Sequence, residues 1–223
     1  MRASFFLLFL SLNLIASASN KVLSIGLFWG NEPSEVTVQT SLGSYSVYGN
    51  GKLIAELKEN TIVRILNLDG LIHVRTITQD LGKYYNVEIK RMVWGSSLKI
   101  QPKDDKELHE YNDNFTFKPV QGKLRITNEV YIEHYVAGVI EGEAGIKEPK
   151  EYYKVQAVIC RTYALNNRRR HEAEGFQLCD KVHCQVYHRR SMNNPDIVKG
   201  TQETIGIVIV DSDINLVTAA FHS

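Results

Sequence analysis

Two glutamates stand at the end of an apolar run in the second half of the chain, with only small residues between and after them. The stretch reads "YVAGVIEGEAG", and its carboxylates are Glu141 and Glu143. Glycine and alanine leave space in which a large group can approach the backbone. A carboxylate beside such a space has the chemistry of a general acid or base. The same stretch is also typical of an ordinary polar loop, so the residues alone leave both interpretations open.

Sulfur and imidazole groups cluster further along the chain. The residues with this chemistry are His171, Cys179, His183, Cys184 and His188. Two thiolates and two imidazoles would complete a tetrahedral zinc site, although the spacing is not that of a zinc finger. A Cys179–Cys184 disulfide and free thiols are the alternatives, and the spacing alone does not choose among the three. The third cysteine, Cys160, lies in an apolar helical pattern and is expected to be a small core residue.

Length and composition limit the classes of protein that the chain can be. Its 223 residues, 43% of them hydrophobic, suit one large domain or two small ones with a buried core. Its 26 basic residues nearly balance its 25 acidic residues. This balance argues against general binding to nucleic acid or to a membrane surface.

The first twenty residues have the pattern of a targeting segment. Arg2 precedes an apolar stretch over residues 5–15, and Ala16-Ser17-Ala18 has the small-x-small form of a cleavage site. An apolar stretch of about 11 residues is too short to span a bilayer core, which needs about 20. We therefore predict a signal peptide over residues 1–18 and export to the periplasm, the cell wall or the medium.

The elements that must position these side chains divide into two kinds. Residues 21–123 contain short alternating runs rich in valine, isoleucine and tyrosine, and Asn50-Gly51 and Asp69-Gly70 are hairpin turn signals. This half is expected to be a β scaffold without chemistry of its own. The second half mixes helical and strand patterns, so the predicted class is α+β, β-rich first and mixed afterwards.

The helical patterns have definite predicted limits. Asn128 is expected to cap a first helix, which ends where a loop begins at Gly142. A second helix is predicted over residues 150–169, and a third begins near Pro195. Residues 205–223 are expected to form two strands around an aspartate-rich turn.

Five blocks in order resemble one known family. They read "NEVYIEHYVAGVIEGEAG", "YYKVQAVICRTYAL", "LCDKVHCQVY", "VKGTQETIGIVIV" and "AAFHS". Together they resemble the SpoIID/LytB family, named for the stage II sporulation protein D. The resemblance covers residues 124–223 and is limited to strand pattern over residues 19–123, which we take as the β-rich part of the same region.

The resemblance implies a substrate and a reaction. Family members that are enzymes are lytic transglycosylases of peptidoglycan, which prefer glycan strands stripped of stem peptides. LytB-type members are instead non-catalytic modifiers of a partner amidase, and this is the alternative function. The family motif Tyr-Leu-x-Gly-Val-Val-x-x-Glu matches from Tyr135 to Glu143, with Val136 in place of leucine and Ala144 where methionine is common.

Glu143 is therefore the expected catalytic residue. In a lytic transglycosylase one carboxyl group first protonates the leaving oxygen and then accepts the proton of the sugar's own C6 hydroxyl. The carboxyl must begin protonated, and we expect the apolar Val139 and Ile140, or a like charge on Glu141, to favour that form. We also expect the glycines to leave room for a sugar chain.

The resemblance also implies supporting residues. The block Lys-x-Gln-Ala-x-x-x-Arg-Thr-Tyr-Ala places Lys154, Gln156 and Arg161 as substrate-binding candidates, with surface salt bridges and a buried amide as the alternatives. Some family members bind zinc through two cysteines and two histidines. Here the ligands would be Cys179, His183 and Cys184, with His171 or His188 as the fourth, and a closed four-ligand site is structural. The family usually continues beyond the final "FHS", so we expect a truncated C-terminus.

Overall fold

The computed structural model describes residues 22–219. The predicted signal peptide and the end of the chain, residues 220–223, lie outside the described residues. Two β-sheets come first and three helices follow, which confirms the predicted α+β class. Within residues 22–219, no helix combines the length and the apolar character that crossing a bilayer requires.

The strands and helices have the following bounds. In chain order the strands are β1 (Val22–Leu27), β2 (Glu35–Leu42), β3 (Tyr45–Gly49), β4 (Lys52–Leu57), β5 (Ile62–Leu68), β6 (Leu71–Thr76), β7 (Asp80–Tyr84), β8 (Val87–Arg91), β9 (Ser97–Pro102), β10 (His109–Asn112), β11 (Asn114–Val120), β12 (Lys123–Tyr131) and β13 (Leu178–Cys179). The helices are α1 (Ile132–Ala144), α2 (Lys150–Asn166) and α3 (Pro195–Glu203), and a single 3-10 turn covers Glu172–Glu174.

The two sheets pack face to face. One has the order β13-β1-β12-β11-β8-β3-β4 and the other the order β10-β9-β2-β5-β6-β7. Strands β11 and β12 of the first sheet lie against β6 and β5 of the second. Alternate side chains such as Val36 and Val38 on β2 are fully buried between the sheets, as the two-residue period of a strand requires.

Both predicted hairpin turns are confirmed. Asn50 and Gly51 join β3 to β4 with φ of 49° and 79°, and Asp69 and Gly70 join β5 to β6 with φ of 56° and 78°. Positive φ at both central residues is the mark of a type I′ turn, whose twist matches that of the flanking strands. These local signals therefore set the register of the scaffold.

Strand pairing crosses the predicted division between residues 123 and 124. Strand β1 pairs antiparallel with β12 over its whole length and parallel with β13, where Gly26 is opposite Cys179. The first described strand thus lies in the same sheet as the motif-bearing half. The end of β1 therefore lies beside the cysteine cluster.

The prediction that Asn128 caps the first helix is wrong. Asn128 lies within β12, and its buried amide donates hydrogen bonds to the carbonyls of Asn112 and Asn114 at 2.8 and 3.0 Å. Pairing of β12 with β1 and β11 keeps the chain extended, so α1 begins only after Tyr131. It then continues to Ala144, which places Glu143 in its last turn rather than in a loop.

The remaining helices follow the prediction more closely than the C-terminal segment does. Helix α2 begins at Lys150 as predicted, and the Asn194 side chain caps α3 by accepting the Asp196 N–H at 2.9 Å. Within residues 205–219, the two predicted strands are reduced to one bridge between Val210 and Leu216. Because this segment joins neither sheet, its isoleucines remain partly exposed.

Candidate functional site

Glu143 lies at the C-terminal end of α1 with one carboxylate oxygen fixed. The backbone N–H of Val186 donates a hydrogen bond to Oε1 at 2.7 Å. Oε2 makes no hydrogen bond to any residue between 22 and 219, and the side chain is partly exposed. Val139 and Ile140, one helical turn earlier, are fully buried. The carboxyl group is therefore held at one oxygen and available at the other.

Glu141 has a different, structural environment. Its Oε2 accepts hydrogen bonds from the Ser191 hydroxyl and the Met192 and Asn193 N–H groups at 2.9, 2.9 and 3.1 Å. Its Oε1 accepts from the Asn193 side-chain amide at 2.6 Å, and the residue is only 8% exposed. Two residues on a helix are about 200° apart, so Glu141 and Glu143 contact different segments. Glu141 ties residues 191–193 to α1.

The glycines of α1 make room for the chain itself rather than for a ligand. A Cβ at Gly138 would lie 2.5 Å from the Arg189 carbonyl oxygen, and one at Gly142 would lie 2.9 Å from that of Val186. The segment 186–189 therefore crosses the helix in direct backbone contact. At their Cβ positions the space that Gly138 and Gly142 leave is therefore taken by this segment and not by a sugar, whereas nothing lies within 4 Å of a Cβ built at Gly145.

Alanine at position 142 should disturb the site through this contact. The Gly142→Ala change must push Val186 away, and the N–H of Val186 is the group that holds Glu143. Overpacking of this kind lowers the free energy of unfolding by about 1–3 kcal/mol. Urea unfolding should show the loss. The Gly200→Ala variant, also within a helix, is the comparison: its Cβ would be 3.3 Å from the Lys154 N, a tight contact but a looser one than at Gly142, so its loss should be smaller, and equal losses in both would contradict this account.

A cavity of about 490 Å³ borders the same part of α1. Glu141 and Gly142 of α1 line it, with Glu143 next to them in the helix rather than on the wall, and Asp180, Lys181 and Arg189 add charged side chains. His188 also lines it, and burial lowers the pKa of this imidazole. The mixture of acidic, basic and neutral polar groups suits a polar ligand rather than an apolar one.

Arg161 lies in the core between the three helices. Its guanidinium is completely buried and donates to both carboxylate oxygens of Glu133, at 3.0 and 2.5 Å. It also donates to the backbone carbonyls of Ile207 and Thr201 at 3.0 and 3.3 Å. No ligand in the cavity can reach it in this position. The predicted substrate contact is therefore replaced by a bidentate ion pair that joins α1 to α2.

Lys154 is also paired within the protein, whereas Gln156 keeps one atom unpaired among the described residues. The Lys154 ammonium lies 2.8 Å from the carboxylates of both Glu151 and Glu203, and these partners raise its pKa. Lys154 and Lys150 in turn lower the pKa of Glu203 to about 2. Gln156 is buried, and its Oε1 has no hydrogen-bond partner among the described residues. Lys154 and Arg161 do share a helix face, but that face packs on α3.

Four side chains converge on one point beside β13. The ligand atoms of His171, Cys179, His183 and Cys184 all lie within 4.8 Å of one another. His171 Nε2 is 3.2 Å from His183 Nδ1, and each sulfur is 3.8 Å from that nitrogen. Zinc bonds of about 2.0–2.3 Å in a tetrahedron separate their ligands by roughly 3.3–3.8 Å. The residues present therefore fit a zinc ion.

The geometry chooses between the two candidates for the fourth ligand. His171 belongs to the cluster, whereas His188 lines the cavity, where its carbonyl accepts a hydrogen bond from His109 Nδ1 at 3.2 Å. All three cysteines lie in the described part of the chain and are free thiols there. The arrangement with two sulfurs and two imidazoles brings together the set expected from the resemblance.

A second layer of contacts orients the cluster. His171 Nδ1 donates to Glu174 Oε1 at 2.6 Å, which leaves Nε2 directed at the other three ligand atoms. Trp29 Nε1 donates to Glu174 Oε2 at 2.7 Å, and its ring stacks on His183. A carboxylate partner on the second ring nitrogen is the usual support of a metal-ligating histidine. The sequence pattern did not reveal Trp29, because it meets the cluster only through the β1–β13 pairing, whereas Glu174 lies three residues after His171 and could have been found from that spacing.

Comparison with known proteins places this site within a family region. Residues 120–210 match the sequence model of the SpoIID family, described as stage II sporulation protein. These residues are a SpoIID-like domain. The SpoIID-like domain contains Glu143, the cavity segment 180–189 and the four clustered ligands, and it marks the protein as sporulation- or cell-wall-related. Strand β1, which completes its sheet, lies outside the matched residues.

One curated relative extends the similarity beyond the SpoIID-like domain. An uncharacterized protein of Brachyspira hyodysenteriae (strain ATCC 49526 / WA1) is 23% identical over 195 residues. The alignment covers 86% of this chain and 49% of the relative, so the chain spans about half of the relative's length. No solved structure matches the chain.

Proposed function

We propose that this protein is an exported enzyme that cleaves peptidoglycan glycan strands by lytic transglycosylation, with Glu143 as its general acid and base. The observation that carries the proposal is the state of Glu143 within the SpoIID-like domain. It occupies the glutamate position of the family motif, with Oε1 held by the Val186 N–H and Oε2 available. A fixed carboxyl group with one available oxygen suits proton transfer to a bound substrate.

The proposed reaction uses one carboxyl group twice. Glu143 gives its proton to the glycosidic oxygen as the bond from that oxygen to the anomeric carbon breaks. The C6 hydroxyl oxygen of the same sugar then bonds to the anomeric carbon, and Glu143 takes the proton that this hydroxyl loses. Water is neither consumed nor released, and the product ends in an anhydro sugar. The Val186 N–H keeps the carboxyl group in place through both transfers.

The environment of Glu141 supports a mechanism with one carboxylate. Hydrolytic glycosidases place a second carboxylate across the scissile bond as nucleophile or base. Glu141 is the neighbouring acidic residue in sequence, but four hydrogen bonds hold it against residues 191–193. It is therefore not free to act on a sugar or a water molecule. Asp180 on the cavity wall is likewise held, because its carboxylate accepts the Phe28 and Trp29 N–H groups, and we assign both the acid and the base role to Glu143.

Substrate contacts are proposed for the cavity rather than for the core of the helices. Lys181 and Arg189 on its wall are suited to the lactyl carboxylates that stem-peptide removal exposes. Lys154 and Arg161 support the site by joining α2 to its neighbours. Gln156 keeps a buried, unpartnered Oε1 and remains a candidate for a contact with substrate.

A structural zinc ion is proposed at His171, Cys179, His183 and Cys184. When bound, the zinc ion would hold the loop that leads to Val186 through its bonds to the four ligands. Four protein ligands leave no coordination position for a substrate. This chain's residues then keep the Val186 N–H aimed at Glu143. The zinc ion would therefore help to position the Glu143 carboxyl group and would take no part in the proton transfers.

Removing one sulfur should release the metal. The purified Cys179→Ser variant should hold almost no zinc, against about one ion per chain in the unaltered protein, because a three-ligand site loses most of its affinity. Elemental analysis measures the metal, and thermal unfolding should show a lower midpoint. Cys160→Ala, which removes a buried sulfur that is not one of the four ligand atoms, is the control and should keep its zinc. A zinc-free, disulfide-bonded unaltered protein would contradict the proposal.

Export follows from the N-terminal pattern and from the substrate, which lies outside the cytoplasm. We propose cleavage after Ala18, so N-terminal sequencing of the mature protein should begin at Ser19. A cell-wall amidase is the proposed partner if the protein acts as a modifier. A mature protein that begins at Met1 would contradict export by this route.

The test of the function is release of short fragments from long glycan strands whose stem peptides have been removed, separated by size in chromatography. The enzyme proposal predicts release that increases with time and with protein concentration. Binding without release would instead support the alternative, a non-catalytic module that modifies an amidase. Neither binding nor release would overturn both functions.

A further inference from the structure

A second cavity, of about 440 Å³, lies at the opposite end of α1 from Glu143. Its wall is formed by the turn between β8 and β9, the first turns of α1, the segment after His188 and one side of α3. The residues that matter here are Trp94, His134, Ala137, Arg190, Val198 and Ile205. The family resemblance and the proposed reaction assign no role to this cavity.

One wall of the cavity is an exposed aromatic platform. Trp94 is 60% exposed although it is the largest apolar side chain of its turn. The Arg91 guanidinium stacks over the ring at 4.2 Å, and the Tyr131 ring meets it edge-on with centroids 5.3 Å apart. These contacts fix the indole in place. A fixed, exposed indole at the mouth of a cavity offers a flat apolar face to a ring-shaped ligand.

A second wall carries hydrogen-bonding groups with unused capacity. His134 Nδ1 donates to Asp113 Oδ2 at 2.7 Å, and Asp113 is itself buried, with Arg91 and the Tyr131 N–H as partners. The imidazole is thereby oriented, while its Nε2 makes no hydrogen bond to any described residue. The Nε of Arg190 is buried and also lacks a partner among the described residues. A buried donor such as the Arg190 Nε is normally satisfied, so it points to a polar ligand.

One side of the cavity is apolar. Ala137 of α1 and Val198 and Ile205 at α3 and its end contribute hydrocarbon to its wall, and Val198 and Ile205 are 36% and 53% exposed. A ligand that fills the cavity must therefore combine a ring face, hydroxyl or amide groups and a small apolar substituent. An N-acetylated hexosamine has all three, with its acetyl methyl group as the apolar part.

We propose that this cavity binds an N-acetylated sugar ring, stacked on Trp94 and hydrogen-bonded by His134 and Arg190, with its acetyl group toward Val198 and Ile205. The inference rests on the proposed function to the extent that a glycan strand supplies such sugars. His134 and Glu143 are nine residues apart on one helix, or about 14 Å along its axis and about half a turn apart around it, so this cavity and Glu143 face different sides of α1.

Binding of N-acetylglucosamine oligomers to the Glu143→Gln protein tests the inference without interference from cleavage. Calorimetry should show that Trp94→Ala weakens binding roughly tenfold, since a buried tryptophan contact carries much of such an affinity. The control is Tyr85→Ala, which removes another aromatic side chain that is 74% exposed and should leave binding unchanged. His134→Gln, whose amide can still donate to Asp113, should weaken binding with no change in the thermal midpoint.

Three results would overturn the inference: no binding of the oligomers, equal affinity of the Trp94 and Tyr85 variants, or equal affinity for glucose oligomers that lack acetyl groups. If Trp94→Ala lowers the thermal midpoint, the His134→Gln comparison decides alone. Because the assay measures binding only, it is independent of catalysis. Tryptophan-dependent binding together with an inert unaltered protein would support this cavity and refute the transglycosylase.

Discussion

The Glu143→Gln variant should lose glycan cleavage by a factor of roughly 10²–10⁴, the usual contribution of a general acid or base. The amide can neither give nor take the proton in the proposed steps. It keeps nearly the same shape, and its oxygen can still accept the Val186 N–H that now holds Oε1. Binding of stripped strands and the thermal midpoint should therefore stay unchanged. Time courses of fragment release from stripped peptidoglycan measure the rate.

Variants of two further glutamates distinguish the loss of proton transfer at Glu143 from general effects of lost charge or lost stability. Glu148→Gln removes an exposed carboxylate from the loop after α1 and should leave the rate unchanged. Glu141→Gln should lower stability, because the carboxylate that holds residues 191–193 is weakened. Retained cleavage by Glu143→Gln, or a loss of cleavage in Glu148→Gln of the same size, would show that Glu143 is not the acid.

The Arg161→Met variant should lose about 3–5 kcal/mol of unfolding free energy, because it leaves the Glu133 carboxylate buried without its partner. Arg161 also satisfies two backbone carbonyls, at Ile207 and Thr201, which lose their donors. Urea unfolding at neutral pH measures the loss. The family resemblance implied that this arginine binds substrate. A loss of stability therefore reports on its structural role, and a loss of glycan affinity reports on a role in binding.

A matched surface arginine supplies the control. The Arg169 side chain is 90% exposed and lies 3.7 Å from Glu172, so Arg169→Met should change stability by less than about 0.5 kcal/mol. The double variant Arg161→Met with Glu133→Leu should recover part of the loss, since no buried charge is then left unpaired. An Arg161→Met protein as stable as the Arg169→Met protein, but weaker in glycan binding, would favour the substrate role over the structural one.

Features that depend on neighbouring residues could be predicted from the sequence. The Asn-Gly and Asp-Gly turns specify type I′ hairpins through their own tolerance of positive φ, and Asn194 with Pro195 specifies the start of α3. The ordered motif blocks predicted the SpoIID-like domain. For the turns and the helix start, the signal and the structure lie within a few residues of one another, whereas the motif blocks act through their order along the chain.

Features that depend on distant contacts could not be predicted. Asn128 has the chemistry of a helix cap, but pairing of β12 on both edges makes it a strand residue that holds Asn112 and Asn114. Gly138 and Gly142 looked like open space, but the segment 186–189 packs on them. A sequence pattern shows that a residue is small or polar, and the fold decides which group it meets.

The candidate site also combines residues that the sequence predicted with contacts that it could not predict. Spacing offered both His171 and His188 as the fourth ligand, and only the geometry of the 3-10 turn and β13 brings His171 to the cysteines. The Val186 N–H that holds Glu143 belongs to the backbone, which carries no side-chain signal. Local motifs therefore predicted the candidate residues, while long-range packing determined how each is held.

The most direct test of the central claim is the mass of the new ends that the unaltered protein makes on purified, peptide-free glycan strands. Lytic transglycosylation predicts anhydro-sugar ends, each lighter by one water molecule than the end that hydrolysis would leave. Mass spectrometry of the fragments separates the two. Anhydro ends, absent with Glu143→Gln, are the result that this account predicts. Ends that have gained water would contradict it and would require a second carboxylate or an activated water molecule at this site.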